Sequence, residues 1–361
     1  GLDRESICTP LSISQRTRHK PLQQLLFKIK WLRIHRCIVI QLNNNCYCTY
    51  FDYGFSPFGL ALIESIFKHD PSAHLFILCL DRQTYELFSE STSGKITLIK
   101  LHTLEESIPE LREAKTNRTI TEYYWTLTPC IMHYLIFRIK ACTTLTYLDA
   151  DQYFYGNPRC IFKEIGEANI AIMPHRFPDE LNDLYTHGKF NVSWLTFRNT
   201  KEAMVCLKWW MTSCIEWCHA EVDGSRYGDQ KYLDQFSSRF QGVHEIQHKG
   251  CGLAPWNLST FNYDCEIILF HFQSFRIRSP YMYTAVVHLF DKCNVKQFKA
   301  RILKPYLYSL KKNFNHVGNS FRKNTSDKSM YYPKNSLAIF YIFNNIFFIK
   351  NNIIRFLFAW R

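Results

Sequence analysis

The sequence predicts an α/β protein built on a doubly wound sheet with helices packed on its faces. From residue 46 onward, short β-rich or apolar runs alternate with segments of helical spacing. One of these runs, residues 74–80 (HLFILCL), is unbroken and stops at Asp81, as a strand buried on both faces does. Three of the runs end in an aspartate: Asp52, Asp81 and Asp149. Open α/β sheets bind ligands at that place, beyond the carboxyl ends of their strands.

The first strand is expected over 46–51, closed by the turn signal Asp52-Tyr53-Gly54. Residues 58–67 follow with apolar side chains at helical spacing. Strands are then expected at 74–80 and 96–101, and a helix carrying several acids at 104–114. A longer helix spans 121–138, opened by Thr121-Glu122, and Pro129 should bend it or end it early. The strand 144–148 delivers Asp149 at its end. Residues 201–219, with Trp209, Trp210, Ile215 and Trp217, read as a packing helix, and 267–270 as an apolar strand leading into His271. No internal repeat is visible.

Hydrophobic residues make up 47% and aromatics 16% of the 361 residues, enough to bury a large core and to exclude general disorder. The net charge of +13 sits at the two ends. Residues 291–361 hold fourteen Lys and Arg against two acids, and residues 1–40 hold eight against two, so the middle is acidic. Terminal positive charge suits an anionic membrane surface better than a nucleic-acid groove, because the candidate cleft is acidic; no nucleic-acid partner is expected. Residues 336–360 are apolar and aromatic but interrupted by Asn and Lys, too short in any clean piece to span a bilayer and closer to an interfacial helix. The other reading is an element that covers the core. The fourteen cysteines follow no zinc spacing and read as free thiols in a reducing compartment. No secretory signal is legible at the start, so the expected location is cytoplasmic, on the inner face of a membrane where the tail reaches it. The expected division is a basic segment 1–40, a catalytic domain 41–285 and a basic, aromatic extension 286–361.

The chemistry concentrates in Tyr147-Leu148-Asp149-Ala150-Asp151. Two carboxylates one residue apart at a strand end can converge on a hard cation, Mn²⁺ or Mg²⁺, which also coordinates diphosphate oxygens. His271, after its apolar run, is the candidate third ligand, although alone it would read as a hydrogen-bonded core histidine. Arg276 follows as a candidate phosphate contact. In Tyr227-Gly228-Asp229-Gln230, Asp229 and Gln230 can bond sugar hydroxyls; the plainer reading of Asp229 is a helix N-cap. Asn191 in Phe190-Asn191-Val192-Ser193 and the pair Trp256-Asn257 each set an aromatic beside an amide, which suits a sugar's C–H face and its hydroxyls.

These segments, in this order, resemble the metal-dependent GT-A glycosyltransferases, in particular the glycogenin-like and lipopolysaccharide-galactosyltransferase-like group and related bacterial polysaccharide enzymes. The resemblance covers roughly residues 46–280. It implies the GT-A fold, a doubly wound mixed sheet flanked by helices. It implies a metal held by Asp149, Asp151 and His271, with Asp229 and Gln230 facing the transferred sugar. Asn191, Trp256 and Asn257 would line the donor site, and the nucleotide would lie near Tyr50, Phe51 and Asp52. Two places depart from the family pattern. The helix before Asp149 reads Tyr123-Tyr124-Trp125 where the family has an Arg, which leaves Arg118 as the candidate substitute. The segment after His271 reads Gln273-Ser274-Phe275-Arg276 where the family has Gly and then Lys-Pro-Trp.

The expected reaction is transfer of a hexose from a nucleotide-diphosphate sugar, a UDP-sugar first, to a glycan or lipid-linked acceptor in bacterial surface polysaccharide synthesis, with retention of anomeric configuration. Two other readings use the same residues: a sugar nucleotidyltransferase, disfavoured because Asp52-Tyr53-Gly54-Phe55 is no Gly-rich phosphate loop, and a nucleotide-sugar-binding protein without activity.

Overall fold

The structure, a computed structural model, describes residues 45–89, 94–138, 142–279, 282–284 and 294–324. The basic segment 1–40 and the apolar stretch 336–360 lie outside the described residues.

Its centre is a seven-stranded mixed sheet in the order β3-β2-β1-β4-β7-β6-β8. The strands are β1 (Cys46–Phe51), β2 (His74–Cys79), β3 (Ile96–Lys100), β4 (Thr144–Leu148), β6 (Ile170–Pro174), β7 (Phe190–Arg198) and β8 (Val243–Glu245). β5 (Gln152–Phe154) and β9 (Leu269–His271) form a separate antiparallel ribbon. β1 runs parallel to both β2 and β4, whereas β7 runs antiparallel to β4 and β6. The chain moves outward from β1 to β2 and β3, then returns to place β4 on the other side of β1. A crevice opens at that switch between the carboxyl ends of β1 and β4, the ends that carry Asp52 and Asp149.

The helix Ser56–His69 follows β1 and packs Leu62 and Ile66 into the core beneath β1 and β2. The expected helix 104–114 is instead two, Leu101–Ser107 and Glu110–Ala114. Pro109 separates them: the residue before a proline avoids helical backbone, and Ile108 sits at φ −134°, ψ 82°. The third strand stops at Lys100 because Leu101 already opens the first of these helices.

The helix Ile120–Arg138 runs through Pro129, so of the two expected outcomes, a bend or an early end, the early end does not occur. It is closed at its start by a capping box: Thr119 N donates to Glu122 Oε2 (2.7 Å) and Glu122 N donates to Thr119 Oγ1 (3.3 Å). Leu127, Cys130, Ile131 and Met132 around the proline are fully buried, and the helix packs along Lys201–Glu216. Tertiary burial outweighs the one backbone hydrogen bond that Pro129 removes.

Residues 294–317 join the core. Phe298, Ile302, Tyr306, Leu307 and Leu310 share an apolar cluster with Phe58, Phe270 and Phe272, and Tyr306 stacks on Phe272 at 3.6 Å. Glu64 ties the helix Lys304–Asn324 to Ser56–His69 by accepting from Ser309 Oγ (2.8 Å) and Lys312 Nζ (2.6 Å). Among the described residues, no helix is long and apolar enough to cross a membrane.

Candidate active site

Strand alternation decides what the end of β1 contributes. Phe51 turns into the core against Phe88 and over Gly59, where a Cβ would lie 2.4 Å from its ring. The structure therefore does not bring Phe51 to the cleft. Tyr50 turns the other way and places its hydroxyl 3.0 Å from Thr128 Oγ1. Asp52 lines the cleft while its Oδ1 accepts from Phe55 N (3.0 Å), which caps the turn Tyr53–Phe55. Asp81 is used in the scaffold, accepting from Tyr53 N (2.8 Å) and Thr84 N (2.7 Å).

Asp149 follows β4 directly, and its Oδ1 accepts from Tyr147 Oη (2.9 Å). A tight turn through Ala150 and Asp151 leads into β5, which pairs with β9 so that Gln152 stands opposite His271. That pairing brings His271 Nε2 to 3.1 Å from Asp151 Oδ1 and 3.6 Å from Asp149 Oδ2. One ligand atom of each residue lies within 4.8 Å of the other two. β9 is held by Gly250, whose carbonyl accepts from both Ile268 N and Leu269 N. A Cβ at residue 250 would stand 1.7 Å from the Glu266 carbonyl oxygen, so only glycine fits there.

Two carboxylate oxygens and one imidazole nitrogen suit Mn²⁺ or Mg²⁺. Their electrostatics fit a cation as well. Burial raises the Asp149 carboxyl above its ordinary pKa, His271 pulls it back, and Asp151 raises it further. Burial alone would lower the His271 imidazole, but the Asp151 and Asp149 carboxylates reverse this and leave it raised. A divalent cation relieves the crowding of both carboxylates.

Across the cleft, Asp229 is 3% exposed and its Oδ2 has no hydrogen-bond partner among the described residues. Burial, with Asp149 adding to it, pushes its pKa up to about 7, against the opposing hydrogen bond from Thr128. It is not the N-cap that the plainer reading suggested: Gln230 precedes the short helix Lys231–Gln235. Asp229 is set by Gly228, at φ +50° beside the Trp125 ring, and by Trp210 Nε1, which donates to its carbonyl (2.8 Å). Gln230 lines the cleft and donates from Nε2 to the His187 carbonyl (2.9 Å).

Asn191 also lines the cleft; its Oδ1 accepts from Ser193 N (3.0 Å) and its buried Nδ2 has no partner among the described residues. Trp256 presents its ring edge-on to His271 at 5.7 Å and donates to the His175 carbonyl (2.8 Å). Asn257 stays behind this wall. It donates to the His175 and Gly252 carbonyls (both 3.0 Å) and accepts from Ala254 N (3.0 Å), so its groups are consumed in shaping the loop. Arg276 opens the strand Arg276–Ser279, five residues beyond His271. Arg118 does not enter the cleft: its guanidinium donates to Thr126 Oγ1 (2.7 Å) and to the Cys214 (2.6 Å) and Ile215 (2.5 Å) carbonyls.

The cleft encloses about 650 Å³; Tyr124, Trp125, Tyr147 and Tyr227, which the sequence offers only as flanks of its motifs, line it, as do His175, Phe177 and His187, which lie outside those motifs. His175 is buried, with its pKa lowered by burial to about 3, and stacks on Phe177 at 4.5 Å. It follows the apolar run Ile170–Pro174, the same strand-then-histidine signal that pointed to His271. Trp125, Tyr227 and His187 form an aromatic side wall, with His187 4.5 Å from Tyr227. The described lining holds four carboxylates and no Lys or Arg.

No protein-family model matches the chain. It is similar to the uncharacterized protein YfnD of Bacillus subtilis (strain 168), 29% identical over 277 residues that cover 73% of this chain and 87% of that one. Among solved structures it is similar to the galactosyltransferase LgtC in complex with donor and acceptor sugar analogs. That match has 13% identity and a TM-score of 0.47, over 73% of this chain and 95% of the other. It is also similar to the glycosyltransferase GlyE of Streptococcus pneumoniae TIGR4, with 13% identity and a TM-score of 0.46, over 78% of this chain and 64% of that one.

Proposed function

We propose that the protein is a glycosyltransferase that moves a hexose from a nucleotide-diphosphate sugar, a UDP-sugar first, to a glycan or lipid-linked acceptor in bacterial surface polysaccharide synthesis. The observation that carries this is the meeting of Asp149, Asp151 and His271 at the sheet's switch point, opposite a buried carboxylate, Asp229. Those three residues would hold Mn²⁺ or Mg²⁺, which would supply positive charge for a departing diphosphate.

The chain's own groups do the rest. Tyr147 orients Asp149 through the hydrogen bond to Oδ1. Tyr50 and Asp52, at the end of β1, face the nucleotide. Asn191 has an unspent donor for a sugar hydroxyl, and Trp256 offers a ring beside the ligand triad. Asp229 and Gln230 face the sugar. A buried carboxylate with an unpaired oxygen stabilises positive charge developing at an anomeric carbon, because little solvent screens the interaction. Such stabilisation needs no separate protein base and accords with retention of configuration. Asn257 acts one step back, by holding the loop that carries Trp256. Arg276 is the candidate phosphate contact.

The test is a screen of nucleotide-sugars with Mn²⁺ for slow donor hydrolysis, in the wild type and in Asp149→Asn. Hydrolysis of one donor, lost by orders of magnitude in the folded variant, is expected. Equal turnover in the variant would sink the reading. Arg118 is bound to scaffold carbonyls rather than facing the cleft, which favours as second reading a nucleotide-sugar-binding protein without turnover. In that case the same donor binds with Mn²⁺ and is never cleaved. We further propose that the basic extension 286–361, through the part that follows the core-packed helix Lys304–Asn324, holds the protein peripherally on a membrane. Flotation of the full chain with anionic liposomes, and its loss when residues 325–361 are removed, checks this.

A further inference from the structure

Gln152 is wholly buried, yet neither its Oε1 nor its Nε2 has a hydrogen-bond partner among the described residues. A strand position with no exposure is ordinarily filled by an apolar side chain, as Phe154 and Leu269 fill theirs in the same ribbon. A buried amide left unpaired is costly, so its presence calls for a partner. One such partner stands directly across the ribbon. His271 Nδ1 is also buried and also unpaired. Gln152 and His271 are direct partners in the β5–β9 antiparallel register. Residues opposite one another in this way carry their Cβ atoms on one face, about 4.5–5.5 Å apart. The terminal torsion of a Gln side chain is soft, so the amide can turn toward the imidazole without moving the backbone.

Resting on the metal-site reading proposed above, we infer that Gln152 is the positioning residue of His271: its amide bonds Nδ1 and thereby aims Nε2 at the cation. With a cation bound, Nε2 must offer its lone pair and Nδ1 carries the hydrogen, which Gln152 Oε1 accepts. Without a cation, Nε2 lies 3.1 Å from Asp151 Oδ1 and can donate to it. In the neutral ring Nδ1 then needs a donor, which Gln152 Nε2 supplies after the amide turns over, and in the charged ring Nδ1 donates to Gln152 Oε1. A residue that both donates and accepts serves both states, where Glu, Leu or Val would serve one or neither. Partners of this kind fix the tautomer of a ligating histidine, and their loss typically costs about 10–100-fold in metal affinity.

The experiment uses the full chain. Imidazole ¹⁵N spectra of the wild type with Mg²⁺ should show His271 protonated at Nδ1 and bare at Nε2. Mn²⁺ titrations should then show Kd raised about 10–100-fold in Gln152→Leu, with the same rise in Gln152→Met, whose flexible chain fills the space if Leu impairs folding. His271→Ala should weaken Mn²⁺ binding at least as much. If His271→Ala weakens binding while both Gln152 variants bind Mn²⁺ as the wild type does, the inference is overturned and the metal site stands. If His271→Ala leaves Mn²⁺ affinity unchanged, the metal-site reading falls and the inference with it. A Mg²⁺-loaded wild type with His271 protonated at Nε2 overturns the inference without any variant.

Discussion

Replacing Asp229 by Asn should stabilise the protein more at pH 8 than at pH 5 while removing its turnover. The carboxyl is 3% exposed and its pKa is pushed from an ordinary 3.8 up to about 7, mainly by burial. Between those two values the folded chain binds a proton that the unfolded chain does not, so stability falls as pH rises through the window and levels off above about 7. At about 1.4 kcal/mol per pH unit, the full cost of the buried charge is about 4 kcal/mol, of which about 2 kcal/mol is already incurred at pH 5. Asn carries no such proton. The stability of Asp229→Asn relative to wild type should therefore grow by about 2–3 kcal/mol between pH 5 and pH 8. Urea unfolding of both proteins at the two pH values, with chelator present, measures this, and titrating groups that do not interact with Asp229 cancel in the comparison. Parallel pH profiles for the two proteins would refute the placement of Asp229 as a desolvated, unpaired carboxylate. In the wild type, turnover that needs the ionised form should rise through about pH 7, while stability declines over the same range.

Three further outcomes follow from single contacts. Mn²⁺ at a hundredfold excess over its Kd should stabilise the wild type by about 2.7 kcal/mol and leave Asp151→Asn unshifted in the same thermal scan. Gly250→Ala forces a methyl group into the Glu266 carbonyl oxygen; the loop that holds β9 must move, and the variant should lose both several-fold in Mn²⁺ affinity and about 1–3 kcal/mol of stability in urea. Glu64→Ala removes the acceptor shared by Ser309 and Lys312. It should cost about 1–3 kcal/mol, because Ser309 is buried, with undocking of the helix Lys304–Asn324 read as faster amide exchange along that helix.

What the sequence reveals about the site divides along a physical line. β1 and β4 end where their apolar runs end, because a buried strand is a local pattern and the polar turn after it is local too. Asp149 and Asp151 are legible for the same reason: the strand, the turn and both carboxylates fall within eight residues. His271 is legible as a histidine closing an apolar run, yet its place beside Asp151 depends on β5, a three-residue strand, Gln152–Phe154, that overlaps the start of the aromatic run Tyr153-Phe154-Tyr155. Nothing local marks that run as a strand; only its pairing with β9 makes it one. An amide beside Trp256 suits a sugar contact, but the three side-chain hydrogen bonds of Asn257 go to backbone groups that the loop fold alone brings within reach. Phe51 adjoins Tyr50 and Asp52 in the sequence, but period-two alternation sends it to the opposite face. Pro129 shows the opposite balance, a strong local rule overridden by burial around the helix. The aromatic wall of Trp125, His187 and Tyr227 comes from three separate segments with no shared pattern. Local chemistry therefore announces the pair Asp149 and Asp151, whereas long-range strand pairing decides which other side chains face them. Gln152 follows from the same rule. In the sequence it is only the residue after the second aspartate, and the register of β5 against β9 alone sets it opposite His271.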